Sequence, residues 1–155
     1  MDKTADYITK EKKLALEQEL EELKGPKRKE IINRLEYAKS LGDLSENAEY
    51  HQAREDQGVL EEQIKKIEHI LKVSHIVEAK HGDTISIGSK VTVTKEDSKE
   101  KLVYTIVGSE ESDSSSGKIS NRSPFGSALF GKKKGDKIEF KTPKGIVHYK
   151  IIDVA

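Results

Sequence analysis

The chain has 155 residues, 34 % of them apolar and 36 % charged, with no cysteine and a formal net charge of zero. That balance is thin in core material for one compact globule and suits a solvated helical part beside a small folded domain. It leaves no thiols for a disulfide framework or a Cys-ligated zinc site. The first 75 residues carry 14 Lys+Arg against 17 Asp+Glu and the remainder 14 against 11, so neither half reads as a general nucleic-acid binder held by phosphate contacts.

The opening MDKTADYITKEKK has no apolar run of signal-peptide type. No segment approaches the ~20 apolar residues of a membrane span. A cytoplasmic protein without membrane contact is expected.

From about Thr9 to Val73 the pattern is helical. Leu16, Leu20 and Leu23 form one stripe, and Ile31, Leu35 and Ala38 a second, shifted by one position. The shift falls at Gly25-Pro26, where proline removes a backbone donor and crowds the preceding turn, so a kink or a helix restart is expected. Tyr50, Ala53, Gln57, Leu60, Ile64, Ile67 and Leu71 alternate spacings of three and four, which is the seam of a coiled coil. The short connection Leu41 to Ser45 makes the two arms antiparallel, with Ile31, Leu35 and Ala38 facing Gln57, Ala53 and Tyr50. At 1.5 Å per residue such a hairpin is ~40 Å long, a probe with no room for an ordinary small-molecule pocket.

After Lys80-His81-Gly82-Asp83 the period becomes two. Ser89 to Thr94 and Lys101 to Val107 read as strands, Gly108 to Lys118 as a polar loop, and Lys137 to Lys141 with Ile146 to Ile152 as a hairpin turning at Thr142-Pro-Lys-Gly. Between them Ser123 can cap a short helix with Pro124 at its first position. The expected fold is α+β: residues 1–77 an antiparallel coiled-coil hairpin with an acidic tip at 42–49, and 78–155 a small antiparallel sheet domain.

The tip, GDLSENAEY, places Asp43, Glu46 and Glu49 close together. Asp-x-x-Glu at a helix start has the spacing of a capping box, and acidic groups suit the positive end of the helix dipole. Yet Gly42-Asp43 already supplies a turn, Ser45 supplies another possible cap, and like charges this close repel. Carboxylates at i and i+3 of a first helical turn can instead share a hard divalent cation. Two ligands are too few for Mg²⁺, which demands an octahedron of oxygens, so a partner would have to complete the site. The capping and metal readings both stand. His51, His69, His75, His81 and His148 lack a metal-binding spacing and read as surface or packing residues.

GDLSENAEYHQAREDQ, Gly42 to Gln57, closely resembles the hairpin tip of the bacterial Gre transcript-cleavage factors. SPFGSALFGKKKGDKIEFKTPKGIVHYKIIDV, Ser123 to Val154, resembles the carboxyl-terminal part of the same family, nearer the GreA type. The resemblance implies a C-terminal domain of FKBP-like fold that docks on bacterial RNA polymerase and a hairpin that enters its secondary channel. There the tip would stimulate the polymerase's own cleavage of a backtracked RNA 3′ end, so the chain by itself would be no nuclease. It further implies that Asp43 and Glu46 help hold a second Mg²⁺ shared with the polymerase, with no cofactor in the free protein. Arg54 and Lys39 would contact the nascent RNA, Ser123 and Pro124 the polymerase, and Asn47 and Tyr50 would support the tip. Asn47 would act by capping or by holding the acidic groups, and Tyr50 by packing. Arg122 departs from the small polar or acidic residue expected there. A free monomer is expected. The competing readings are a channel binder that regulates or inhibits without stimulating cleavage, a coiled-coil adaptor or chaperone, and a stand-alone hydrolase; the last two predict an apolar tip or a complete pocket.

Overall fold

The computed structural model describes residues 2–43, 45–78 and 82–155. Leu44, Lys80 and His81, which the tip and boundary expectations include, lie outside the described residues. The elements are β1 (Tyr7–Thr9), α1 (Lys10–Glu22), a π-helical segment (Leu23–Lys27), α2 (Arg28–Ser40), α3 (Ala48–Val73), β2 (His75–Val77), β3 (Lys90–Lys95), β4 (Lys101–Val107), β5 (Lys118–Ser120), α4 (Pro124–Leu129), β6 (Lys137–Thr142) and β7 (Gly145–Val154).

Lys13–Val73 form one compact unit, and the chain on both sides of it forms the other. The division expected at 77/78 is therefore shifted. Tyr7–Thr9 pair in parallel with His75–Val77, and Tyr7 is buried in the core of the sheet unit. A three-residue strand just ahead of a helix shows no period of its own, and its partner lies far along the chain.

In the helical unit, Gly25-Pro26 neither breaks nor restarts the helix. Glu22, Lys27 and Arg28 all keep right-handed helical backbone angles, and the Arg28 N–H reaches back to the carbonyls of Leu23 and Gly25. A π turn holds one extra residue, which moves the apolar face by one position. That is the offset between the two stripes. Leu16, Leu23, Leu35 and Ala38 are buried, with Leu20 and Ile31 half-buried.

Across from them α3 buries Ala53, Leu60, Ile64, Ile67 and Ile70, with Tyr50 and Gln57 half-buried. At the base of the seam Ile70 takes the fully buried position expected for Leu71, which is half-buried. Residues three and four after Ile67 flank the same face, so spacing alone does not choose between them. Each buried Leu or Ile contributes about 1.5–3 kcal/mol. Ion pairs set the register. Arg28 donates from Nε and Nη2 to the two carboxylate oxygens of Glu61 at 2.9 and 3.0 Å, Arg34 meets Asp56 at 2.8 Å, and Lys24 meets Glu68. Exposed pairs like these contribute at most about 1 kcal/mol each, less than one buried leucine.

In the other unit the sheet order is β5-β4-β3-β7-β6. The expected antiparallel sheet is formed by β4, β3, β7 and β6, and β5 joins in parallel beside β4. Val91, Val93, Ile106, Ile138 and Ile151 alternate inward and meet Ile85, Ile87, Leu129 and Phe130. Phe125 of α4 packs among Tyr104, Phe140 and Tyr149, edge-on to Tyr104 at 5.0 Å and stacked on Phe140 at 4.8 Å.

Helix α4 starts as its sequence requires. Ser123 Oγ accepts from Gly126 N–H at 3.0 Å and donates to the Ser120 carbonyl at 2.8 Å, with Pro124 leading the helix. Gly126 is needed because a Cβ there would lie 1.9 Å from the Ser120 carbonyl oxygen. Gly126→Ala is expected to lower stability by about 1–3 kcal/mol, read as a fall in the urea midpoint with an unchanged slope.

Candidate functional site

The tip is built by one asparagine. Asn47 Oδ1 accepts the Tyr50 N–H at 3.1 Å, capping α3, while its Nδ2 donates to the Ala38 carbonyl at 2.6 Å near the end of α2. One side chain thus satisfies an orphan donor of one helix and a late carbonyl of the other. Of the two roles weighed for Asn47, the geometry shows capping. Gly42, at φ +118°, carries the chain out of α2 in a conformation that other residues rarely adopt.

The capping box expected of Asp43 and Glu46 is not formed, and neither residue is on a helical turn. Both precede α3 and both are exposed. Asp43 Oδ1 accepts the backbone N–H and the hydroxyl of Ser45, each at 3.0 Å, making a local turn that leaves its second oxygen without a partner among the described residues. Those two hydrogen bonds, the backbone one first, hold the Asp43 carboxyl below its ordinary value of 3.8. Glu46 is exposed and makes no side-chain hydrogen bond or ion pair among the described residues. Glu49 lies in the first turn of α3, where its charge suits the dipole.

Among the described residues no three His, Asp or Glu side chains converge to hold a metal. The tip donors are hard carboxylate oxygens, which fit Mg²⁺ in kind and fall short in number, so any ion they engage needs ligands from elsewhere.

Tyr50 is half-buried at the hairpin end, its ring edge-on to His51 at 5.7 Å, as expected of a packing residue. Lys39 and Arg54 are both exposed. Each is one position past a buried residue, Ala38 and Ala53, and in antiparallel helices that places both on the same flank. Arg54 Nη1 donates to the neutral Gln57 amide at 3.2 Å and forms no ion pair among the described residues. The opposite flank carries Arg34, Tyr37, Glu49 and Gln52 around a shallow hollow of about 150 Å³. Tyr37, 62 % exposed, went unnoticed in the sequence because a lone outward aromatic breaks no period.

In the sheet unit Ser123 is half-buried by its two hydrogen bonds and Pro124 is exposed. Arg122, the residue that departs from the expected pattern, pairs with Asp6 at 2.6 Å. Neighbouring Asn121 is fully buried and donates to the Lys3 and Ala5 carbonyls, both at 3.2 Å. These two residues fasten the N-terminal segment beside α4.

The chain thus joins a helical hairpin with exposed carboxylates at its tip to a small sheet domain. Two family models account for nearly all of it: "Transcription elongation factor, N-terminal" over residues 6–76 and "Transcription elongation factor, GreA/GreB, C-term" over 79–155. The chain belongs to the GreA/GreB family of transcription elongation factors. It is 46 % identical over 141 residues to the transcription elongation factor GreA of Clostridium acetobutylicum, covering 90 % of this chain and 89 % of that one. It is 44 % identical to GreA of a Roseiflexus strain, covering 96 % of both. The crystal structure of GreA factor homolog 1 of Thermus thermophilus matches with 27 % identity, a TM-score of 0.46, and coverage of 97 % of this chain and 99 % of that one.

Asn47→Ala is expected to cost about 1 kcal/mol or more, read by thermal unfolding, with faster hydrogen exchange at the Tyr50 amide. The sign for Asp43 follows from its lowered pKa. Its turn stabilises the tip fully above the unfolded value of 3.8 and loses that contribution as pH falls through the lower folded value. Carboxyl NMR titration should place Asp43 below 3.8, and Ser45→Ala should move it up.

Proposed function

We propose that this chain binds bacterial RNA polymerase, passes its hairpin into the secondary channel and stimulates the polymerase's own hydrolysis of backtracked RNA 3′ ends. The observation that carries this reading is the division of labour at the tip. Asn47 does the capping, and the exposed Glu46 and one oxygen of the exposed Asp43 have no partner among the described residues. A hairpin needing only a stable turn would have no use for two uncommitted carboxylates that repel each other.

In this reading Asp43 and Glu46 supply oxygen ligands to a Mg²⁺ ion whose remaining ligands belong to the polymerase. The shared ion would polarise the phosphodiester and lower the pKa of water. The Ser45 hydrogen bonds keep Asp43 ionised and fix its orientation, so it arrives as a ready acceptor. Glu46 would orient a water for in-line attack. Lys39 and Arg54, on one flank, would meet phosphates of the extruded RNA. Ser123 and Pro124 would contact the polymerase, with the Arg122–Asp6 pair leaving Arg122 less free to do so. The free chain is proposed to be a cytoplasmic monomer without cofactor and without nuclease activity of its own. Among the described residues no helix is long and apolar enough to cross a membrane.

A backtracked elongation complex carrying 3′-labelled RNA tests the reading. Short 3′ fragments should appear only with polymerase and Mg²⁺ present. Asp43→Asn and Glu46→Gln should each cut the rate by roughly 10- to 100-fold while still competing with the wild type for polymerase. Cleavage undiminished in both variants would sink the assignment.

A further inference from the structure

The flank of the hairpin away from Lys39 and Arg54 holds the hollow of about 150 Å³ lined by Arg34, Tyr37, Glu49 and Gln52. Helix spacing places these residues together. Arg34 and Tyr37 each stand one position before a buried residue of α2, Leu35 and Ala38, and Gln52 stands one before the buried Ala53 of α3. In antiparallel helices those positions share one flank, and the Arg34–Asp56 pair at 2.8 Å joins the two helices there. Glu49 lies three residues before Gln52 on the same side of α3. Tyr37 is well exposed, and Leu41, four residues further on, is exposed as well.

What the hollow offers to a ligand is electron-rich. Its cation is already engaged, because Arg34 Nη1 meets Asp56 Oδ2, whose other oxygen accepts from Gln52 Nε2 at 2.9 Å. Gln52 Oε1 is left without a partner among the described residues, and Glu49 forms no ion pair or side-chain hydrogen bond among them. Arg34 balances Asp56, so Glu49 leaves this flank with one negative charge. The Tyr37 ring adds the negative face of its π system. The volume is below the several hundred Å³ of small-molecule pockets and suits a single side chain.

We propose that this hollow receives one Lys or Arg side chain from the protein wall of the polymerase's secondary channel. The cationic head lies over the Tyr37 ring and against the Glu49 carboxylate, with Gln52 Oε1 as a further acceptor and the apolar stem along Leu41. The proposal rests on the channel reading above and gives the two flanks of the hairpin different partners. Lys39 and Arg54 meet RNA, and the Tyr37 flank meets protein. A nucleobase stacked on Tyr37 is the competing occupant, and charge argues against it. Aromatic platforms for single strands sit in positively charged grooves, whereas here the guanidinium is neutralised and Glu49 repels phosphate. Tyrosines that are exposed in the free protein and buried on docking are common anchors of protein interfaces.

The test follows cleavage by backtracked complexes against the concentration of the full chain, together with photo-crosslinking from position 37. Tyr37→Ala and Glu49→Gln should each raise the half-saturating concentration by about tenfold and leave the saturating rate unchanged. Tyr37→Phe keeps the ring and should behave as the wild type. So should Glu55→Gln, which removes an exposed charge two positions past Ala53 and outside the hollow. Tyr37→benzoylphenylalanine should crosslink to a polymerase subunit and not to labelled RNA. Circular dichroism melts check that each variant is folded. With normal wild-type binding, an unchanged half-saturating concentration for Tyr37→Ala would overturn this proposal alone. So would a crosslink to RNA, a loss in Glu55→Gln equal to that in Glu49→Gln, or a lowered saturating rate in Tyr37→Ala. A wild type that never engages polymerase would sink the channel reading and this proposal with it.

Discussion

The tip depends on the two hydrogen bonds of Asn47. A hairpin of long helices has its weakest point where the chain reverses, because late carbonyls of one arm and early N–H groups of the next have no helical partners. Asn47 satisfies one of each at once, its amide donating from one atom and accepting on another. A carboxylate at this position could cap α3 but could not donate to Ala38. Capping therefore falls to an uncharged neighbour, and Glu46 is left without a side-chain partner among the described residues.

The arms below the tip meet a different constraint, keeping an apolar seam in register past a proline. Proline in a helix interior loses one hydrogen bond and crowds the carbonyl four residues earlier. Widening the backbone to a π turn relieves both, at the expense of one extra residue in the seam. The sequence accommodates this by moving its second stripe one position, so Leu23 and Leu35 are both buried on either side of Pro26. The cross-helix pairs Lys24–Glu68, Arg28–Glu61 and Arg34–Asp56 continue through the same region. The helix crosses the defect without losing its partner.

Much of this was legible in the residues, and the failures have specific causes. The α3 seam, both long arms, Ser123 as a cap and the turn before β7 follow from spacing and local turn chemistry. The shift at Gly25-Pro26 was visible as a shift, but a proline reads as a break, and only the backbone shows that a π turn absorbs it. Tyr7–Thr9 were assigned to the hairpin because their partner strand is more than sixty residues away and pairing at that distance leaves no local pattern. For Asp43 and Glu46 the spacing left a capping box and a metal role both open, and the structure forms no capping box. The spacing Asp-x-x-Glu is the same in a turn as on a helix, and only Asn47's bonds decide between them.

Net charge was the least informative quantity, because it sums over groups in opposite situations. On the hairpin Lys24, Arg28 and Arg34 are each matched by an acid across the seam, so those charges are spent on register. On the sheet the lysines alternate with inward apolar residues along β3, β4, β6 and β7, and strand pairing then lines them up beside one another. A period of two that buries valine and isoleucine necessarily gathers the intervening residues onto one surface. On this sheet those include Lys90, Lys101, Lys118, Lys137, Lys141 and Lys150 against Glu139 and Asp153, a local excess that equal totals conceal. Such an excess is focused by geometry, so its strength depends on which residues face each other across the strands and not on the chain's total.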